Sequence, residues 1–131
     1  MKIIGIMLLK NEEIWLQNVI ENVIEFCDKL IINDNNSDDM TWEIIRKMQR
    51  LSSKIYSKKI KSVAESHSYI SGYAGTNTWI FAVDGDELYD PIGLKQLKKE
   101  LNCGKYNHVW NLKGNVLHCI SIDKTKKIAN G

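Results

Sequence analysis

The chain contains a single proline, eight glycines and three cysteines in 131 residues, and these shortages already exclude several protein classes. So little proline and glycine rules out collagenous repeats and low-complexity disorder, and 44% hydrophobic with 26% charged residues is ordinary globular composition. Cys27, Cys103 and Cys119 are odd in number and lack C-x-x-C spacing, so neither a disulfide framework nor a zinc knuckle is expected. A reducing, cytoplasmic setting fits that usage. A net charge of +2 gives no case for nucleic acid as a partner. No apolar run approaches the roughly 18 residues needed to cross a bilayer. The opening apolar run, Ile3 to Leu9, is followed by Lys10-Asn11-Glu12-Glu13 where a signal peptide would carry small residues, so it reads as a strand. Phosphate-cradling G-x-x-x-x-G-K and G-x-G-x-x-G patterns are missing, which disfavours a classical mononucleotide or dinucleotide site.

What is present is an alternation of strands and helices. Ile3 to Leu9 is continuously apolar, as in a strand covered on both faces of a parallel sheet. From Glu12 to Cys27 the apolar positions Leu16, Val19, Ile20, Val23 and Ile24 fall on one helical face, with Asn11 as a cap. Lys29 to Asn33 reads as a second strand, followed by the polar loop Asp34 to Asp39 and a helix with Ile44, Ile45, Met48 and Leu51 inward. Lys54 to Ser57 is a weaker third strand. Ser62-Val63-Ala64-Glu65 has capping-box spacing, and Val63, His67, Ile70 and Ala74 share the face of a helix that Gly75 can end. A strand from Thr78 to Val83 runs into Asp84-Gly85-Asp86-Glu87. Asp90-Pro91 then caps a helix through Leu94, Leu97 and Leu101 that Gly104 closes. Tyr106 to Leu112 and Asn115 to Ile122, separated by Lys113-Gly114, are expected to pair as a hairpin. The pattern predicts one α/β domain, a three-layer sandwich with a mostly parallel sheet and this late hairpin.

Ligands of such sheets bind beyond the carboxyl ends of the strands, which selects the loops Lys10 to Glu12, Asp34 to Asp39 and Asp84 to Glu87. Asp34, Asp38, Asp39, Asp84, Asp86, Glu87 and Asp90 are seven of the sixteen acidic residues. Gathered on one rim they repel unless a cation or a polyhydroxyl ligand compensates; the plainer alternative is solvated loops and helix caps. Asp84-Gly85-Asp86 is the sharper element. An apolar strand delivers it to a fixed place, Gly85 permits close backbone approach, and two carboxylates suit Mg²⁺ or Mn²⁺ shared with phosphate. Asp34-x-Asn36-x-Asp38 imitates an EF-hand start, but Asp39 stands where that loop needs Gly and Ile45 where it needs Glu.

Leu9-Lys10-Asn11-Glu12-Glu13, Asp34-Asn35-Asn36-Ser37-Asp38-Asp39 and Phe81-Ala82-Val83-Asp84-Gly85-Asp86-Glu87, in this order and placement, resemble glycosyltransferase family 2, with its Rossmann-like GT-A fold. The resemblance covers about residues 1 to 95 and implies binding of a nucleoside diphosphate sugar, such as a UDP-sugar. It implies that Asn11, Glu12 and Asp34 face the nucleoside, that Asp84 contacts ribose or metal, and that Asp86 holds Mn²⁺ or Mg²⁺. The implied reaction is an inverting transfer to a hydroxyl of a saccharide or other acceptor. Family members usually run longer, so residues 1 to 131 are expected to form the nucleotide-sugar-binding portion without much of the acceptor side. No general base is identifiable, since only Glu100 and Asp123 are acidic after Asp90. A non-catalytic nucleotide-sugar-binding module therefore stands beside the transferase.

Trp42 and Trp79 read as packing residues and Trp110 as an acceptor-side candidate. His67 is expected inside, and His118 is a further candidate metal ligand by the same resemblance. Lys58, Lys59 and Lys61 form a basic patch, read either as solvated surface or as a contact for phosphate or an anionic membrane. Apolar surface uncovered by a short C-terminal portion would favour self-association.

Overall fold

The apolar run near the amino terminus forms the first strand of a four-stranded, all-parallel sheet. In the computed structural model, which describes residues 1–117, 121–123 and 128–130, the elements are β1 (Lys2–Leu9), α1 (Leu16–Val23), β2 (Lys29–Asp34), α2 (Thr41–Leu51), β3 (Ile55–Lys59), α3 (Val63–Ser71), β4 (Thr78–Ala82) and α4 (Pro91–Asn102), followed by the short strands β5 (Ser121–Asp123) and β6 (Ile128–Asn130). The sheet order is β3-β2-β1-β4, with Leu9 opposite Asp34 and Ile6 opposite Ala82. The chain thus steps outward from β1 to β3, then returns to place β4 on the other side of β1. In open parallel sheets the point where strand order reverses, here between β1 and β4, is where ligands bind beyond the carboxyl ends of the strands.

Side chains alternate across the strands, and the two faces differ. Ile3, Met7 and Leu9 of β1 and Leu30 and Ile32 of β2 join Leu16, Ile20 and Val23 of α1, Ile45 and Met48 of α2, and Leu94 and Leu101 of α4 in one core. Each such side chain contributes roughly 1.5–3 kcal/mol on burial, so this layer carries most of the stability. Helix α3 lies over the opposite face and buries only Ser66. Leu8 and Ile80 remain partly exposed there, at 37% and 39%. Among the described residues no helix is long and apolar enough to cross a membrane.

Several sequence expectations are corrected. Helix α1 begins at Leu16 rather than Glu12 and has no side-chain cap, because Asn11 to Glu13 are bonded to the next loop instead. Leu51 is 71% exposed: it lies six residues after Ile45, roughly 240° around the helix and off the buried stripe. Ser62 caps α3 by position, but neither Ser62 nor Glu65 makes the capping-box side-chain bonds. His67 is exposed, since Ser66, Tyr69 and Ile70 supply the sheet-facing side of α3. Residues 106 to 117 contain no strand, so Tyr106 to Leu112 does not form the first arm of the expected hairpin, and residues 118 to 120 of its second arm, Asn115 to Ile122, lie outside the described residues. Tyr106 is instead held to α4 through Glu100, and among the described residues the antiparallel pair is β5 with β6. By contrast, Asp90 caps α4 as expected, accepting from the N–H groups of Ile92 and Gly93 at 3.1 and 3.0 Å. Gly104 follows α4 in the left-handed region at φ 79°.

Candidate functional site

The loops after β1 and β2 are cross-linked by reciprocal hydrogen bonds. Asn11 donates its backbone N–H to Ser37 Oγ at 2.9 Å, while its side-chain Oδ1 accepts from the Asp38 N–H at 3.0 Å. Glu12 donates its N–H to the buried Thr41 hydroxyl at 2.8 Å. Glu13 Oε2 accepts from the Met40 N–H at 2.9 Å, and the Glu13 N–H reaches Asp39 at 3.3 Å. Asn11 and Asn36 both adopt left-handed backbone, at φ 56° and 53°, a conformation asparagine tolerates better than most residues. The two loops therefore form one hydrogen-bonded rim.

Asp34 lies at the end of β2, directly opposite Leu9, and is fully buried. Its Oδ1 accepts from both the backbone and the hydroxyl of Ser37, whereas Oδ2 is buried without a hydrogen-bond partner. A carboxylate oxygen in that condition is costly unless something else meets it.

The third loop closes on the first. Val83 donates its N–H to the Ile6 carbonyl at 3.0 Å, continuing β4 along β1 as far as the acidic turn. A Cβ added to Gly85 would stand 2.7 Å from Glu12 Cγ and 2.8 Å from Leu9 Cδ2, so only glycine lets the turn approach this closely. Glu12 consequently sits in the field of Asp86, Asp84 and Asp39. Burial first, then those three charges, raise its pKa above the ordinary carboxyl value. Asp84 is also raised, by burial and then by Glu87 and Asp86. Asp39 moves the other way: burial opposes ionisation, but bonds from the Thr41 hydroxyl and the Thr41 and Glu13 N–H groups outweigh it. Glu87 is turned aside, accepting from the Tyr89 hydroxyl at 2.9 Å.

Of the residues selected from sequence, Asn11, Glu12, Asp34, Asp84 and Asp86 all lie at the carboxyl edge of the sheet, beside the point where strand order reverses. Asp90 is occupied as a cap. Trp42 and Trp79 pack against the core, whereas Trp110 is 91% exposed. His118 falls outside the described residues. Sequence reading passed over Ser37 and Thr41, the hydroxyls that join the rims; a hydroxyl beside a helix start is too common to single out. Hard oxygen donors that raise one another's pKa suit Mg²⁺ or Mn²⁺. Among the described residues no three His, Cys, Asp or Glu side chains form a ready-made cage. A cation shared with a diphosphate needs only one or two protein carboxylates.

Fold and site together define an α/β domain with carboxylates clustered at the topological switch point of a parallel sheet. No protein-family model matches this chain, and no curated protein matches it.

Proposed function

We propose that the domain binds a nucleoside diphosphate sugar, such as a UDP-sugar, at this carboxylate cluster and transfers the sugar to an acceptor hydroxyl, in the manner of an inverting GT-A transferase of family 2. The observation that carries the reading is the convergence of Glu12, Asp84 and Asp86 at the carboxyl ends of β1 and β4, with Asp34 on the same edge. Asp84 and Asp86 would hold Mn²⁺ or Mg²⁺, and the ion would neutralise charge developing on the departing diphosphate. Asn11, Glu12 and Asp34 would stand on the nucleoside side; Asp34 Oδ2, buried and unpartnered, would meet a base or ribose donor group only after a local opening of the rim.

Calorimetric titration with UDP and Mn²⁺ tests this reading. Asp86→Ala is expected to lose several kcal/mol of metal-assisted binding; equal binding by both proteins would remove the metal assignment.

The non-catalytic module is a second reading, favoured by one observation. Glu100 is engaged by Lys105 at 2.8 Å and by Tyr106 at 2.7 Å, at the far end of α4, and is not poised as a base. Release of free UDP from UDP-sugars in the presence of hydroxyl acceptors supports the transferase. Binding of UDP without release under any acceptor supports the module.

A further inference from the structure

Asn33 directly precedes Asp34 on β2 and therefore faces the opposite side of the sheet. It is fully buried, and neither Oδ1 nor Nδ2 has a hydrogen-bond partner. Its neighbours Leu30, Ile31 and Ile32 are aliphatic, and an aliphatic residue at position 33 would avoid the cost of an orphaned amide. Asn33 borders a cavity of about 230 Å³ between β2, β3 and α3, with Ile31, Tyr56, Lys58 and Tyr69 among its other walls.

Cations gather around the same cavity. Lys58 is the cross-strand partner of Asn33, and its ammonium lies 5.2 Å from the Tyr69 ring centroid. Lys29, at the other end of the cavity, places its ammonium 4.1 Å from the Tyr56 centroid. An amide with a free donor and a free acceptor matches another amide, and flanking ammoniums match an anion. A cavity of this volume admits only a small molecule.

We propose that this cavity is a second binding site, separate from the acidic strand ends, for a small amide that carries a carboxylate. The ligand's amide pairs with the Asn33 side chain, and its carboxylate lies toward Lys58, the cross-strand partner of Asn33. The proposal is independent of the nucleotide reading, because the carboxylates at the strand ends repel such an anion and lie apart from the cavity beside α3.

Pyroglutamate is the probe, with pyrrolidone as the same ring lacking the carboxylate and cyclopentanecarboxylate as the ring lacking the amide. Heteronuclear NMR titration of the full chain is expected to show saturable shifts at the Asn33 side-chain amide, Ile31 and Tyr69, with both analogues weaker by about tenfold or more. Lys58→Gln, at an exposed position, is expected to weaken pyroglutamate similarly. Asn33→Leu is expected to abolish binding without loss of thermal stability. The proposal is overturned by absence of saturable shifts, by equal binding of cyclopentanecarboxylate, or by undiminished binding to Lys58→Gln. The last comparison still decides the matter if Asn33→Leu does not fold.

Discussion

The backbone N–H of Glu12 donates to the buried hydroxyl of Thr41 across 29 residues of sequence, at 2.8 Å. This bond fixes the loop after β1 to the first turn of α2 and so places Glu12 against the Asp84-Gly85-Asp86 turn. Removing the hydroxyl while keeping the shape, as in Thr41→Val, leaves the Glu12 N–H without its partner. Stability to urea is expected to fall by about 1–3 kcal/mol. Thr41→Ser retains the acceptor and is expected to recover most of the loss.

Gly85→Ala tests the close approach of the third loop. The added methyl meets Glu12 and Leu9 at under 3 Å, so the acidic turn or the Glu12 and Leu9 side chains against it must shift. A stability loss of about 1–3 kcal/mol is expected. Mn²⁺-dependent UDP binding should weaken with it, although every carboxylate is still present. Unchanged binding would show that the turn's position is immaterial.

The raised pKa values of Glu12 and Asp84 set a pH dependence with a definite sign. Both groups take up protons more readily in the folded chain than in the unfolded one. Their stabilising contribution is therefore complete below the ordinary values of 4.5 and 3.8 and is lost as pH rises through the raised ones. Glu12→Gln is expected to raise the melting temperature at neutral pH without metal, by removing one charge from the crowd. Mn²⁺ binding to the parent chain should strengthen as pH climbs through the same window and then level off. A melting temperature lowered by Glu12→Gln would contradict the repulsive reading.

Glu100 behaves oppositely. Bonds from Lys105, Gln96 and Tyr106 hold its carboxyl down to about 2, so its contribution is present above the ordinary 4.5 and is lost as pH falls toward about 2. The contact between Tyr106 and α4 is expected to persist through mild acid and release only near the lower value. Observing the Tyr106 ring by NMR during acid titration checks this, with Glu100→Gln expected to abolish the transition.

The described cysteines differ in accessibility. Burial pushes the Cys27 thiol up to about 11, beneath the sheet, whereas Cys103 is exposed after α4. Iodoacetamide at neutral pH followed by peptide mapping is expected to modify Cys103 quickly and Cys27 only after unfolding. Fast labelling of Cys27 in the native protein would mean that the α1 side of the core opens.

Much of the architecture is readable from periodicity. Ile3 to Leu9 and Leu30 to Ile32 read as strands covered on both faces, and the helical spacing of Leu16, Val19, Ile20 and Val23 marks the layer that covers one of them; the other face is covered less completely and leaves Leu8 37% exposed. Asp90-Pro91 and Gly104 mark the ends of α4 because each acts within a few residues of itself. The errors fall where tertiary bonds displaced a local preference. Asn11 is chemically suited to a cap, yet its side chain accepts from Asp38 instead, and Tyr106, placed in a strand by its β-forming neighbours, is taken by Glu100.

The sequence alone determined that this chain alternates strand and helix, and that carboxylates collect where strands two and four end. Apolar period and turn chemistry are local, so they survive in one dimension. Only the tertiary structure decided that β4 lies beside β1 on the side away from β2, so that Gly85 meets Glu12. It likewise left Asn33 buried and unpaired beneath α3, because strand order and the meeting of side chains from distant segments depend on packing that no local pattern encodes.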